Sequence, residues 1–520
     1  MRTALNARRP TPAPTPAPDP APDPTAAAST SAATASSTTS GRAAPAPRGL
    51  LPVVLTATFM TALDIFVVNV ALPSLQSDLG AGPAAVQWVM AGFSLALAAG
   101  LVTAGRLGDR YGRRRVFGLG LALFTLASAG CGLAPTAATL VGARVVQGLA
   151  AALMGPQVLA ILRTAFSGAE QARAFARYGL TMGVGAVFGQ LIGGLLIRAD
   201  LFGLGWRSCF LINLPIGLAA LAMVRRSLPE SRAPRRPGLD PVGVLLVTTG
   251  LTALVLPLIQ GPQLDWPLWT VLCLGAAAVL LVAFAVHQHR ATRAALATAT
   301  ATTAAATTDA DGGTTVTATP LVDTRLFRDR AFSAGVLAQL AFWLGQGSFF
   351  LVLALHLQSG RGLDALGAGL VFTAIGLGYL ITSNTTHRVT ARIGGRRTIT
   401  AGGLLMAAGL VLLAVAAFGA ADGSVWWLAP GLFVDGLGMG LVIAPVTSVV
   451  LAGVEPRLAG SAAGVVSTVQ QVGGALGIAL IGLVYYGADG PTAAFGHSVL
   501  VLAALELVLV ALVRLLPRTG

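Results

Sequence analysis

GRLGDRYGRRR, Gly105 to Arg115, holds five arginines and one aspartate in eleven residues, between apolar runs at 87–105 and 116–133. So basic a stretch between two runs of membrane-spanning character reads as a tight turn at a membrane surface. Gly105, Gly108 and Gly112 sit where the backbone must turn. Asp109 can accept bonds from a helix end or an arginine. Arg110, Arg113 and Arg114 are placed to lock against acidic or carbonyl groups of a neighbouring bundle of helices.

Outward from this turn the same alternation recurs. A spanning helix needs about 20 apolar residues. Such runs lie near 51–72, 87–105, 116–133, 137–161, 174–197, 206–224, 241–260, 267–286, 332–357, 365–383, 398–417, 426–452, 460–485 and 497–515, about fourteen in all. The arginines test this count. If the chain starts in the cytoplasm and alternates, thirty of the 34 fall on the cytoplasmic side, Arg198, Arg207 and Arg361 on the other, and Arg144 inside a helix. A missed or extra helix would invert that bias downstream. The expected protein is therefore all-α, lies in the cell membrane, and has both termini in the cytoplasm.

Composition excludes the main alternatives. The chain of 520 residues is 55% hydrophobic and only 10% charged, with mean hydropathy +0.77. A soluble domain carries roughly 25% charged residues, so a cytoplasmic enzyme is ruled out. The net charge is +14, and all the positive charge comes from arginine, since there is no lysine. Those arginines sit in short clusters between apolar runs, a pattern of membrane orientation rather than nucleic-acid binding. Without lysine a Walker A loop is impossible, which excludes ATP-driven transport by this chain alone. Cys131, Cys209 and Cys273 lie in apolar segments without metal-ligand spacing. No metal or cofactor is expected.

Residues 1–49, rich in Pro, Ala, Thr and Ser, read as a disordered cytoplasmic tail. The Ala/Thr-rich stretch within 290–330 reads as a flexible cytoplasmic linker. Six runs precede it at 51–224 and six follow at 332–515, with two more at 241–286. That division suggests an internal repeat with two inserted helices.

The turn GRLGDRYGRRR resembles the loop motif G-x-L-x-D-R-x-G-R-R of the major facilitator superfamily. ARIGGRR (Ala391–Arg397) is a weaker echo without the aspartate. LDIFVVNVALP (Leu63–Pro73), RVVQG (Arg144–Gly148), GWRSCFLINLPIG (Gly205–Gly217) and GSAAGVVSTVQQVGGALG (Gly460–Gly477) are similar to segments of its fourteen-helix drug–proton antiporter branch. The resemblance covers Leu51 to Arg514. It implies two six-helix bundles plus two inserted helices, a functional monomer, and proton-coupled export of amphipathic drugs or antibiotics by alternating access. It also implies that Arg144 faces the central cavity and helps proton transfer, with Asp64 as the matching aspartate of the first helix. The sequence departs from the branch at GAVFGQLIGG (Gly185–Gly194), where Gln190 replaces a proline, and at Phe66, which replaces a threonine. Gly185, Gly189 and Gly193 still form a smooth face for close packing.

Asp64, Arg144, Asp435 and Glu506 lie well inside the expected membrane. A charge there costs about 2.5–3.5 kcal/mol on insertion scales, so each needs a partner, a wet cavity or a proton. Either a proton-coupling role or a structural pair meets that need. Gln147 shares a helix face with Arg144, and Gln190 stands at the proline position. Gln339, Trp343, Gln346 and Phe350 follow helical spacing on one face. Amides beside aromatics suit a flat, amphipathic small molecule, so these six form the expected substrate cavity. The alternatives are export of one endogenous metabolite, or a receptor or scaffold that does not transport.

Overall fold

The computed structural model describes residues 49–232, 238, 240–305, 320–419, 423–455 and 458–516. The expected tail at 1–49 and the 306–319 part of the linker lie outside the described residues, apart from Gly49. Among the described residues there is no strand. Fourteen helices among them are long and apolar enough to cross a membrane. In lipid every backbone polar group must be satisfied within the chain, so uninterrupted apolar runs become helices.

The first half holds α1 (Leu50–Leu79), α2 (Pro83–Tyr111), α3 (Arg113–Gly132), α4 (Ala137–Ala165), α5 (Gly168–Ala199) and α6 (Gly205–Ser227). The inserted pair is α7 (Pro241–Gln260) and α8 (Leu268–Ala305). The second half holds α9 (Arg330–Leu355), α10 (Ala365–Ile393), α11 (Gly395–Gly419), α12 (Ala429–Ala452), α13 (Ala459–Tyr486) and α14 (Pro491–Val513).

The two halves pack alike. In the first, α1 lies against α5 and α6, and α4 against α2 and α3. In the second, α9 lies against α13 and α14, and α12 against α10 and α11. The bundles meet through α2 on α13 and α5 on α10, which are corresponding pairs exchanged between the halves. The inserted α7 and α8 pair with each other, and α7 rests on the α2–α13 seam. The repeat extends to backbone detail: α2 and α3 join at Gly112 with φ +110°, and α10 and α11 join at Gly394 with φ +82°. Both turns need a left-handed residue, which explains the glycine shared by GRLGDRYGRRR and ARIGGRR.

Two expectations are corrected here. The Gly105–Arg115 stretch is mostly helix, since α2 continues to Tyr111 and α3 begins at Arg113. Only Gly112 turns; Gly105 and Gly108 instead allow α4 to approach at Pro156 and Gln157. The linker is also shorter than composition suggested, because α8 runs on to Ala305. Alanine is the strongest helix former, and no Gly or Pro interrupts the run. Returning chain then lies along α8: the Val322 N–H donates to Gln288 Oε1 at 3.1 Å, and the Thr324 N–H to Thr292 Oγ1 at 3.3 Å.

At the base of the inserted pair, Asp240 caps α7 by accepting from the Gly243 N–H at 2.8 Å. Burial works against its charge. Bonds from Gln288, the Gly243 N–H and His287 outweigh that and hold its pKa below the ordinary carboxylate value.

Candidate functional site

The sequence placed Asp64 and Arg144 eighty positions apart; packing α4 beside α1 brings them together. Arg144 Nη1 donates to Asp64 Oδ2 at 2.5 Å, with the two side chains only 2% and 0% exposed. The pair is enclosed by further polar groups. Gln147 Nε2 donates to Asp64 Oδ1 at 2.7 Å and to Ser128 Oγ at 3.3 Å. Asn213 Nδ2 donates to the same Asp64 oxygen at 3.2 Å and to Ser128 Oγ at 3.0 Å. Arg144 also donates to Gln147 Oε1 at 2.8 Å and, through Nε, to the Val89 carbonyl at 3.1 Å. Its guanidinium lies 4.2 Å from the Phe93 ring centre. Five helices of the first bundle thus converge on one carboxylate, which has a counter-charge and two amide donors. A buried pair is tolerated where further hydrogen bonds support it, and here both Asp64 oxygens accept, while Arg144 donates through Nε and Nη1.

Gln147, expected on the cavity wall, is instead fully buried in this cluster. The i, i+3 spacing that put it beside Arg144 turns it toward Asp64. Sequence reasoning missed Asn213 and Ser128. Asn213 stands inside the quoted segment GWRSCFLINLPIG, where a lone amide in an apolar helix was the available signal; Ser128 carried none.

Among the described residues the second bundle has no matching pair. Asp435 on α12 and Glu506 on α14 are each 1% exposed. Neither oxygen of Asp435, nor Oε2 of Glu506, has a hydrogen-bond partner. Glu506 lies against Gly345 of α9. The glycines around Asp435 admit backbone: Gly436 meets Ile375 of α10, and Gly409 of α11 meets Asp435 itself.

On α9, Gln339 is fully buried, donating to Thr447 Oγ1 at 2.8 Å and accepting from Trp343 Nε1 at 3.0 Å. Gln470 of α13 joins it at 3.4 Å. Gln470 stands in the segment GSAAGVVSTVQQVGGALG, where nothing in the sequence distinguishes it. Phe350 meets Phe66 of α1 edge-on at 5.4 Å and stacks on Phe372 at 6.1 Å. The aromatic part of this face therefore lies where the two bundles meet. Gln346 is buried, and its Oε1 has no partner.

Gln190 is 2% exposed, held where α5 meets α10, and its backbone lies against Gly369. That places it at a helix contact rather than an open wall. The smooth face of α5 does pack closely, with Gly185, Gly189 and Gly193 against Ala62, Phe66 and Val67 of α1.

The α2–α3 turn does not reach the opposite bundle as expected. Asp109 pairs with Arg113 at 3.0 Å, and Arg110 lies over its neighbour Tyr111. The Arg113 N–H donates to the Ser231 carbonyl at 3.0 Å, and the Arg114 N–H to Glu230 Oε1 at 3.1 Å. The turn is thus tied to the chain leaving α6, in its own bundle. Contacts between bundles gather at the other end. Gln358 donates to the Val70 carbonyl at 3.0 Å, Arg198 pairs with Asp364 at 3.8 Å, and Gly194 lies against Ala365.

Comparison with known proteins agrees with this architecture. The family model of the Major Facilitator Superfamily matches residues 54–478 and again 331–519. The chain is 39% identical over 444 residues to a probable actinorhodin transporter of Streptomyces coelicolor, covering 85% of this chain and 73% of that one. It is 33% identical over 439 residues to the multidrug resistance protein Stp of Mycobacterium tuberculosis, covering 84% and 75%. A crystal structure of a peptide transporter POT in complex with sulfate superposes with a TM-score of 0.64 at 17% identity, over 90% of this chain and 96% of that one, a likeness of fold alone. With its repeated bundles, fourteen spanning helices and a family match over most of its length, the chain belongs to the Major Facilitator Superfamily of membrane transporters and is not an enzyme.

Proposed function

We propose that this protein exports amphipathic drugs or antibiotics across the cell membrane, in exchange for protons, by alternating access. The observation that carries the reading is the buried Asp64–Arg144 pair with its amide donors, in a chain 39% identical to a probable actinorhodin transporter. Ionisable groups so deep in an apolar bundle are costly to bury, and protonation of Asp64 would weaken its hold on Arg144, Gln147 and Asn213 together, with loss of the proton restoring it. The aromatic and amide face of Trp343, Gln346 and Phe350 suits a flat substrate at the meeting of the bundles. With both termini in the cytoplasm, contacts gathered away from the α2–α3 turn correspond to a state closed outside and open inside. In the opposite state, Asp109, Arg110 and Arg113 are the groups placed to hold the cytoplasmic ends together.

The test is uptake into inverted membrane vesicles of a dye and antibiotic panel, with and without a proton gradient. Accumulation that collapses with the gradient is expected, and Asp109→Asn should slow it severely at equal expression. Uptake indifferent to the gradient would remove proton coupling from the proposal.

Orientation has its own measurement. In a background whose native cysteines are alanine, a cysteine replacing Phe202, which is 96% exposed, should react with an impermeant thiol reagent in intact cells. One replacing the exposed Thr164 should react only after the cells are opened. The reverse pattern overturns the proposed orientation.

A further inference from the structure

Where α3 begins and α6 ends, the two helices flank an open cleft of about 570 Å³ lined by residues that include Arg114, Arg115, Leu119, Leu221, Val224 and Arg225. Arg115 and Leu119 are four residues apart on α3, and Leu221 and Arg225 four apart on α6. Each helix therefore sets an apolar side chain one turn, about 5–6 Å, deeper than an arginine. Leu119 is 55% exposed despite lying inside the spanning segment, so it faces lipid.

The charge at the mouth is not balanced. Three arginines face one carboxylate: Glu230 lies 3.7 Å from Arg114 and 3.6 Å from Arg115. Among the described residues Arg225 makes no hydrogen bond or ion pair. The cleft thus offers net positive charge at the membrane edge and an apolar wall running inward. An amphiphile with an anionic head and a hydrocarbon tail matches both features, whereas a small soluble anion uses only the first.

We propose that the cleft between α3 and α6 binds an anionic glycerophospholipid, its phosphate held by Arg115 and Arg225 and an acyl chain lying along Leu119 and Leu221. Basic clefts between spanning helices on the arginine-rich side are physically suited to such headgroups. The Arg225 guanidinium, without a partner among the described residues, supplies the open donors. Arg114, tied to the Leu228 carbonyl at 3.4 Å, contributes field rather than a free fork.

The test uses the purified full chain in neutral detergent, titrated with phosphatidylglycerol or phosphatidylcholine, with bound lipid counted by native mass spectrometry. The wild type should prefer phosphatidylglycerol by about tenfold or more, equivalent to about 1.4 kcal/mol. Arg225→Glu, at an exposed residue without partners, should lose that preference while keeping its thermal transition. Arg226→Gln, a neighbouring arginine outside the lining, should keep it. Equal binding of the two lipids overturns the proposal. So does an unchanged preference in Arg225→Glu, or a loss in Arg226→Gln as large as in Arg225→Glu, which would mean a general surface effect. Competition by glycerol phosphate at the lipid's own concentration would mark a small-anion site and overturn the lipid assignment.

Discussion

Arg144→Ala is expected to abolish gradient-driven export and to destabilise the first bundle by about 3–5 kcal/mol, the cost of leaving a buried charge without its partner. The orphaned group is Asp64, fully buried and then held only by Gln147 and Asn213. Asp64→Asn should likewise stop export, leaving the guanidinium unpaired against Phe93. These single losses do not separate a working pair from a structural one. The double variant Asp64→Asn/Arg144→Gln does. Removing both charges while keeping polar shape is close to neutral for stability, so the thermal transition should return toward wild type. Export should not return, because no carboxylate remains there to exchange a proton. Vesicle uptake and a thermal melt on the same preparations decide it. Recovery of gradient-driven export in the double variant would make the cluster a scaffold and remove it from coupling.

Asp435→Asn is expected to reduce export by about tenfold or more, about 1.4 kcal/mol in the transport barrier, and equally for a cationic and a matched neutral substrate. The sequence left open whether Asp435 faces a wet cavity or a partner. At 1% exposure, with Gly409 of α11 against its backbone and α10 against the next residue, it faces neither. A carboxyl so enclosed cannot discriminate substrate charge by contact. The amide fills the same space and leaves a similarly unsatisfied group, so folding should change little. Selective loss of the cationic substrate, with the neutral one spared, would place Asp435 in the substrate site and sink this expectation.

The expectations that held rest on local or summed properties. Apolar run length gave fourteen spans because lipid leaves the backbone no alternative to a helix. The balance of six runs on either side of the inserted pair anticipated the repeated packing. Where the reading failed locally, at Gly105–Tyr111 and 290–305, it treated polarity or low complexity as loop, though helix continues wherever nothing breaks its hydrogen bonds.

Partnership was not legible. Gln147 and Gln339 were both read as amides on a wall, yet one closes the Asp64 cluster and the other bonds Thr447, Trp343 and Gln470. Arg114 was expected to reach the other bundle and bonds its own. By itself the sequence determined that this chain is a helical membrane protein, with its spans and the residues too polar to lie there idle. Only the tertiary structure decided that Asp64 is matched by Arg144 while, among the described residues, Asp435 and Glu506 lack a counter-ion. Hydropathy is set residue by residue, but who meets whom depends on the order and rotation of packed helices, and contacts between side chains as far apart as Asp64 and Asn213 arise only when the whole bundle closes.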